Sequence, residues 1–149
     1  LPFAFAQFIN PEAGPRAVQV YRQHFKPSQW LDAPRVLVGL SAICAPTEEE
    51  AIRLSWSRYC MRFRRGFGVP SPETALAFDY TAAERAYIEY TRPRSAIGDP
   101  QQVRAKIEAL TEEFQVDEAI LVTITYDFAD RIRSYELIAQ EFGLDPREV

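Results

Sequence analysis

Three stretches of the chain are apolar at nearly every position, and each is followed by a segment whose apolar residues recur every three to four positions. Residues 2–9, PFAFAQFI, carry three phenylalanines and are bounded by Asn10-Pro11 and Gly14-Pro15. Their length and composition predict a strand, and the lack of alternation suits one covered on both faces. A helix is expected over about 15–25, with Val18, Tyr21 and Phe25 on one stripe, stopped by Pro27. Residues 35–43, RVLVGLSAI, form the second predicted strand. Gly39 and Ser41 share one face and Val36, Val38, Leu40 and Ala42 the other. That asymmetry suits helices behind the strand and either tight packing or a ligand in front. The third strand, AILVTIT (119–125), places Ile120, Val122 and Ile124 on one face and Leu121, Thr123 and Thr125 on the other. The second of these faces turns polar toward its C-terminal end.

Helix signals punctuate the rest. Thr47 followed by Glu50 reads as a capping box, opening a helix to about 64 with Ile52, Trp56, Tyr59, Cys60 and Phe63 on one stripe. Gly66, Gly68, Pro70 and Pro72 form a linker, and residues 66–96 hold no strand candidate. Two short helices are expected there, one at Ser71-Pro72 and one at a second capping box, Thr81 with Glu84. Asp99, Pro100 and Gln102 make a complete helix start, followed by Val103, Ile107, Leu110 and Phe114 at helical spacing. Asp127 caps a last helix whose stripe is Ile132, Tyr135, Ala139 and Phe142. Gly143 closes it and Pro146 follows.

Strands buried on both faces and separated by helices imply parallel pairing with right-handed crossovers. The expected fold is α/β, a partial (β/α)8 TIM barrel of three βα units with parallel strands at about 2–9, 35–43 and 119–125. A helical insertion follows the second strand. Residues 1–149 read as a single domain, with 46–97 as an insertion or lid within it. An excess of this size after a strand's C-terminal end is typical of an active-site cover. Gln7, Ser41, Thr123 and Thr125 would face the catalytic end of such a barrel. No Gly-rich phosphate fingerprint follows any strand, which disfavours a doubly wound nucleotide-binding fold. The chain opens inside an apolar run without Met, and it therefore reads as a fragment of a longer protein with unpaired strand edges.

Composition narrows the chemistry. At 149 residues, 47% hydrophobic and 26% charged, the chain is an ordinary globular one, and its net charge of −4 argues against nucleic acid. No run reaches the roughly 20 apolar residues of a membrane helix, and no signal peptide is visible, so a cytoplasmic protein is expected. Cys44 and Cys60 read as reduced, buried thiols, and a metal site is not expected. His24, the single histidine, sits near a helix end and suggests no catalytic role. Arg58, Arg62, Arg64 and Arg65 crowd the end of their helix, where they complement its dipole or hold an anion. No nucleophile–base pair, paired catalytic carboxylates or metal cluster stands out, which fits an enzyme whose chemistry is carried by a cofactor.

Four ordered blocks, LPFAFAQFINPEAGP, PRVLVGLSAICAPTEEEA, IGDPQQVRAKIEALTEEFQVDEAILVTITYD and RIRSYELIAQEFG, resemble the C-terminal part of bacterial luciferase-like flavin-dependent monooxygenases. The resemblance covers nearly the whole chain, more loosely over 66–94. It implies strands six to eight of a (β/α)8 barrel, reduced FMN supplied by a separate flavin reductase, O2 as co-substrate and a small organic substrate. It also implies that catalytic residues lie upstream of residue 1 and that 46–97 covers the flavin. Ser41, Thr123 and Thr125 are the candidate cofactor-binding residues. Each could instead pack in the barrel lumen with its hydroxyl bonded to a neighbouring strand. The alternative function is a non-catalytic flavin-binding or dimerisation half-barrel, pairing as a homo-oligomer or with a missing N-terminal half.

Overall fold

The computed structural model describes residues 1–64, 66, 68–116 and 118–144; Arg65 and Pro146, both expected to bound helices, lie outside the described residues. The chain folds as two compact units, Leu1–Ser41 with Lys106–Val122, and Ala42–Ala105 with Thr123–Val149.

The first unit is a three-stranded parallel ladder with β2 (Val36–Cys44) in its centre. β1 (Phe3–Ala6) pairs with it from Phe3↔Val36 to Ala6↔Gly39. β4 (Glu118–Val122) pairs with it from Leu37↔Glu118 to Ser41↔Val122. Val36, Val38 and Leu40 are buried, as a central parallel strand requires. The helix α1 (Gly14–His24) starts with Pro15 in its first turn and buries Val18. Its Tyr21 ring stacks on Phe3 at 5.2 Å between centroids, and the Tyr21 hydroxyl donates to the Leu1 carbonyl at 2.8 Å. α5 (Pro100–Phe114) contributes its second half to this unit, where Ile107, Leu110 and Phe114 are buried. Phe114 meets Phe5 at 5.8 Å.

The second unit is mostly helical. Thr47 caps α2 (Glu48–Phe63), accepting the Glu50 N–H at 3.3 Å. The capping box expected there is one-armed, because the Glu50 carboxylate takes two Arg53 hydrogen bonds of 2.8 Å instead. Ser71 caps α3 (Pro72–Leu76), and Thr81 and Glu84 form a complete reciprocal box at α4 (Ala82–Thr91). The insertion has its own core of Tyr59, Cys60, Ala75, Tyr80 and Ile88, with Trp56, Phe63 and Phe78 packed against it. α2 also buries Ala51 and Leu54 against Ile43 and Ala45, so it is apolar on two sides rather than along the single expected stripe. At the start of α5, Asp99 Oδ1 accepts the Gln102 N–H at 2.9 Å and Gln102 Oε1 accepts the Asp99 N–H at 3.0 Å. Asp127 caps α6 (Phe128–Glu141), and Gly143, at φ +62, ends it with the N–H of Leu144 on the Ala139 carbonyl.

Four expectations are corrected. A short strand, β3 (Ala96–Gly98), pairs in parallel with Ala42–Cys44, where the sequence suggested only helix and linker. The first strand ends at Ala6 rather than residue 9, and the Asn10 side chain accepts the N–H groups of Glu12 and Ala13 to turn the chain. The last strand ends at Val122, so Thr123 and Thr125 lie beyond it. The Thr123 N–H donates to the Tyr135 hydroxyl at 3.2 Å, which replaces a ladder partner. In α6, Ser134, Leu137 and Ile138 are buried, whereas Ile132 and Tyr135 of the expected stripe are exposed along with Phe128.

Candidate functional site

Parallel α/β folds place ligands at the C-terminal ends of their strands. In the first unit that end carries Gln7, Gly39 and Ser41. Gln7 is 3% exposed and its N–H continues the ladder to the Gly39 carbonyl at 2.9 Å. Gly39 is close-packed, since a Cβ there would sit 3.4 Å from the Phe8 ring and 3.5 Å from the Ala6 Cα. Ser41 is 2% exposed, stands beside Val122 in the ladder, and its Oγ has no hydrogen-bond partner among the described residues. A buried hydroxyl without a partner loses the free energy of its hydration. A ligand oxygen or ring nitrogen would restore that bond, so Ser41 fits a polar group of a bound cofactor.

Thr123 and Thr125, in the second unit, are buried but satisfied. Thr123 Oγ1 donates to the Ala42 carbonyl at 2.8 Å and Thr125 Oγ1 to the Asp127 carbonyl at 2.8 Å. Their hydroxyl protons are committed, which leaves only oxygen lone pairs for a ligand. Of the three residues chosen from the sequence, Ser41 therefore has an unused donor.

Three features of the second unit were not anticipated. The Asp130 carboxyl, in the first turn of α6, is held above the usual carboxylate range by burial, reinforced by Asp127 and Glu50 and opposed by Arg53. Two acids three residues apart at a helix start were legible in the sequence. The desolvation that shifts one of them was not. Arg53 bridges the Glu50 and Glu73 carboxylates, tying α2 to α3. A cavity of about 180 Å3 lies in the same unit, lined by Cys60, Met61, Arg64 and Phe78.

Both cysteines are free and buried, as expected. Burial, with Asp99 and Glu141 adding, pushes the Cys44 thiol up to about 11, so it stays protonated and unreactive near neutrality.

No protein-family profile matches the chain. It is 38% identical over 144 residues to the uncharacterized protein YceB of Bacillus subtilis, covering 94% of this chain and 44% of that protein. A luciferase-like monooxygenase of Escherichia coli is 29% identical over 141 residues, covering 92% of this chain and 42% of that protein. Among solved structures, apo-MsnO8 superposes with a TM-score of 0.86 at 30% identity, over 99% of this chain and 46% of that one. The oxygenating constituent of 3,6-diketocamphane monooxygenase from Pseudomonas putida, a type II Baeyer-Villiger monooxygenase solved with FMN, shares the fold. Its TM-score is 0.54 at 20% identity, over 98% of this chain and 49% of that one. The chain spans less than half the length of the relatives it matches.

Proposed function

The chain belongs to the luciferase-like monooxygenase family, as a C-terminal part of its (β/α)8 barrel, and from that premise we propose that it contributes one wall of an FMN site. The whole protein would oxidise a small organic substrate with O2. The observation that carries the reading is the buried, unpartnered Ser41 hydroxyl on the central strand. Ser41 would donate to a polar group of the flavin, whereas Thr123 and Thr125, in the second unit, keep only acceptor oxygens. Reduced FMN, arriving from a separate flavin reductase, supplies the oxygen chemistry, and the protein supplies orientation and exclusion of water. Residues 46–97 form a segment that its own ion pairs hold together, as a cover would require. Two reduced, buried cysteines suit work in the cytoplasm. The fold of an FMN-bound neighbour supports the choice of cofactor.

The test uses the full-length parent protein, titrated anaerobically with reduced FMN, with oxygen uptake and organic product then followed. Saturable flavin binding that weakens in Ser41→Ala is expected. Absence of flavin binding by the parent would end the proposal.

A second reading, a half-barrel that assembles with another copy, is favoured by α6, whose Phe128, Ile132 and Tyr135 are exposed at positions i, i+4 and i+7. Light scattering of the 149-residue chain at micromolar concentration should then report a dimer. A strict monomer rules that reading out.

A further inference from the structure

The arginines at the end of α2 are left unused by the flavin reading. Residues 51–98 hold eight of the chain's 17 basic residues, all arginine, against four of its 21 acids. This segment is therefore basic within an acidic chain, and it is also rich in aromatic rings. Arg58 and Arg62 stand one turn apart on α2, with Arg62 exposed to solvent. The Arg58 guanidinium lies 5.4 Å from the centre of the Tyr59 ring, and that of Arg62 lies 4.6 Å from the Tyr87 ring. Arg92, in the 3-10 turn Arg92–Arg94, lies 4.9 Å from Trp56 and 5.7 Å from Tyr59. Tyr59 is thus shared by two guanidinium groups.

Arg64 shows what a satisfied member looks like: it pairs with Glu84 at 2.8 Å and stacks on Phe78 at 3.8 Å. Among the described residues no carboxylate pairs with Arg58, Arg62 or Arg92. Arg58 Nη1, Arg92 Nε and Nη2, and the Tyr59 hydroxyl are buried without a hydrogen-bond partner. Burial lowers the Arg58 pKa and Arg62 adds to that shift, while the phenol groups of Tyr59 and Tyr87, the former also through its side-chain contact with Arg58, oppose it. Half-buried guanidinium groups such as those of Arg58 and Arg92, with donors cut off from water and no counter-charge, are costly, and an anion beside them removes that cost.

We propose that Arg58, Arg62 and Arg92, with the Tyr59 hydroxyl, form a binding site for a phosphate-type oxyanion. Guanidinium forks match tetrahedral oxyanions with paired hydrogen bonds. The rings beneath them hold the arginines in place, so little side-chain freedom is lost on binding. Two cations beside Tyr59 and a third one helical turn from Arg58 favour a dianion over a single carboxylate. The site is independent of whether flavin binds.

The experiment is a calorimetric titration of the 149-residue chain with inorganic phosphate at constant ionic strength. Saturable 1:1 binding is expected, with a change in Trp56 fluorescence. Arg58→Gln and Arg92→Gln should each weaken it by roughly tenfold or more, the usual loss for a charged hydrogen bond. Arg62→Gln, at an exposed position, provides a variant that keeps the fold and should weaken it as well. Arg133→Gln on α6, a surface residue paired with Glu136, should leave the affinity unchanged. Tighter binding of phenyl phosphate than of phosphate would identify the oxyanion as part of a larger aromatic molecule; equal binding would point to the free ion. No saturable heat, or equal weakening by Arg133→Gln, overturns the proposal. So does full phosphate affinity in the folded Arg62→Gln and Arg58→Gln variants.

Discussion

Gly14→Ala is expected to destabilise the protein, although helix propensity alone argues the opposite. Gly14 is the first residue of α1 and is buried. A Cβ there would fall inside the contact distance of the Phe114 ring and 2.8 Å from the Phe5 Cε1. Carbon atoms pack best at about 3.5–4.0 Å, so the rings would have to retreat by well over half an ångström. Phe114 is 2% exposed and meets Phe5 at 5.8 Å, which leaves neither ring a simple way out. Overpacking of this kind costs about 1–3 kcal/mol, and replacing glycine in a helix returns at most about 1 kcal/mol. The net loss is about 1–2 kcal/mol, or a fall in Tm of about 3–6 °C for a chain of this size. Urea and thermal unfolding followed by circular dichroism measure it. Combining Gly14→Ala with Phe114→Leu should recover part of the loss, with a coupling of about 0.5 kcal/mol or more between the two sites. A Gly14→Ala protein as stable as the parent, or more so, would refute the packing argument.

Ser41→Ala should leave stability unchanged or raise it by up to about 1 kcal/mol in the absence of ligand, because it deletes an unsatisfied buried hydroxyl. Thr123→Val, which breaks the hydrogen bond to the Ala42 carbonyl, should cost about 1–3 kcal/mol in the same denaturant assay. Glu84 is held down to about 2, first by the Arg64 hydrogen bond and then by the Thr81 backbone. Its folded pKa is depressed, so its contribution is present above the ordinary value of 4.5 and disappears as pH falls toward about 2. A series of melting temperatures across that window should flatten in Glu84→Gln. Asp130 has the opposite sign: its folded pKa is raised, so stability it lends at low pH is lost as pH climbs above 3.8 and through the shifted value. Asp130→Asn should remove that decline. A thiol reagent should label neither Cys44 nor Cys60 in the folded chain and both in guanidinium; prompt labelling of either would contradict their burial.

Much of the fold was legible because its signals are local. Thr81 with Glu84, Asp99 with Gln102, and Gly143 each satisfy helix ends through partners three to five residues away, and all three appear where the sequence places them. The candidate site was less legible. Ser41, Thr123 and Thr125 look alike as hydroxyls at strand ends, yet Thr125 meets a carbonyl two residues on, Thr123 meets a distant one, and Ser41 meets none among the described residues. Ala42 stands 81 residues from Thr123 along the chain, and no local pattern announces that meeting. Glu50 illustrates the same limit at short range. Both Thr47 and Arg53 lie three residues from it, and the arginine fork prevailed.

By itself the sequence determined the α/β order, the parallel arrangement implied by strands that are apolar on both faces, the helix boundaries and the family. These follow from the spacing of apolar residues and from capping chemistry, which act between near neighbours. Only the tertiary structure decided the rest. β3 is three residues long, too short to carry a period, and it exists because Ala42–Cys44 offer it a ladder. α6 has apolar residues on more than one side, and packing selected Ser134, Leu137 and Ile138 for burial and left Phe128, Ile132 and Tyr135 outside. The arginines of α2 read as a solvated helix end. Folding placed Arg58 and Arg92 against Tyr59, where water no longer reaches several of their donors. Burial and charge depend on what the chain brings together from a distance, and that information is absent from any local pattern.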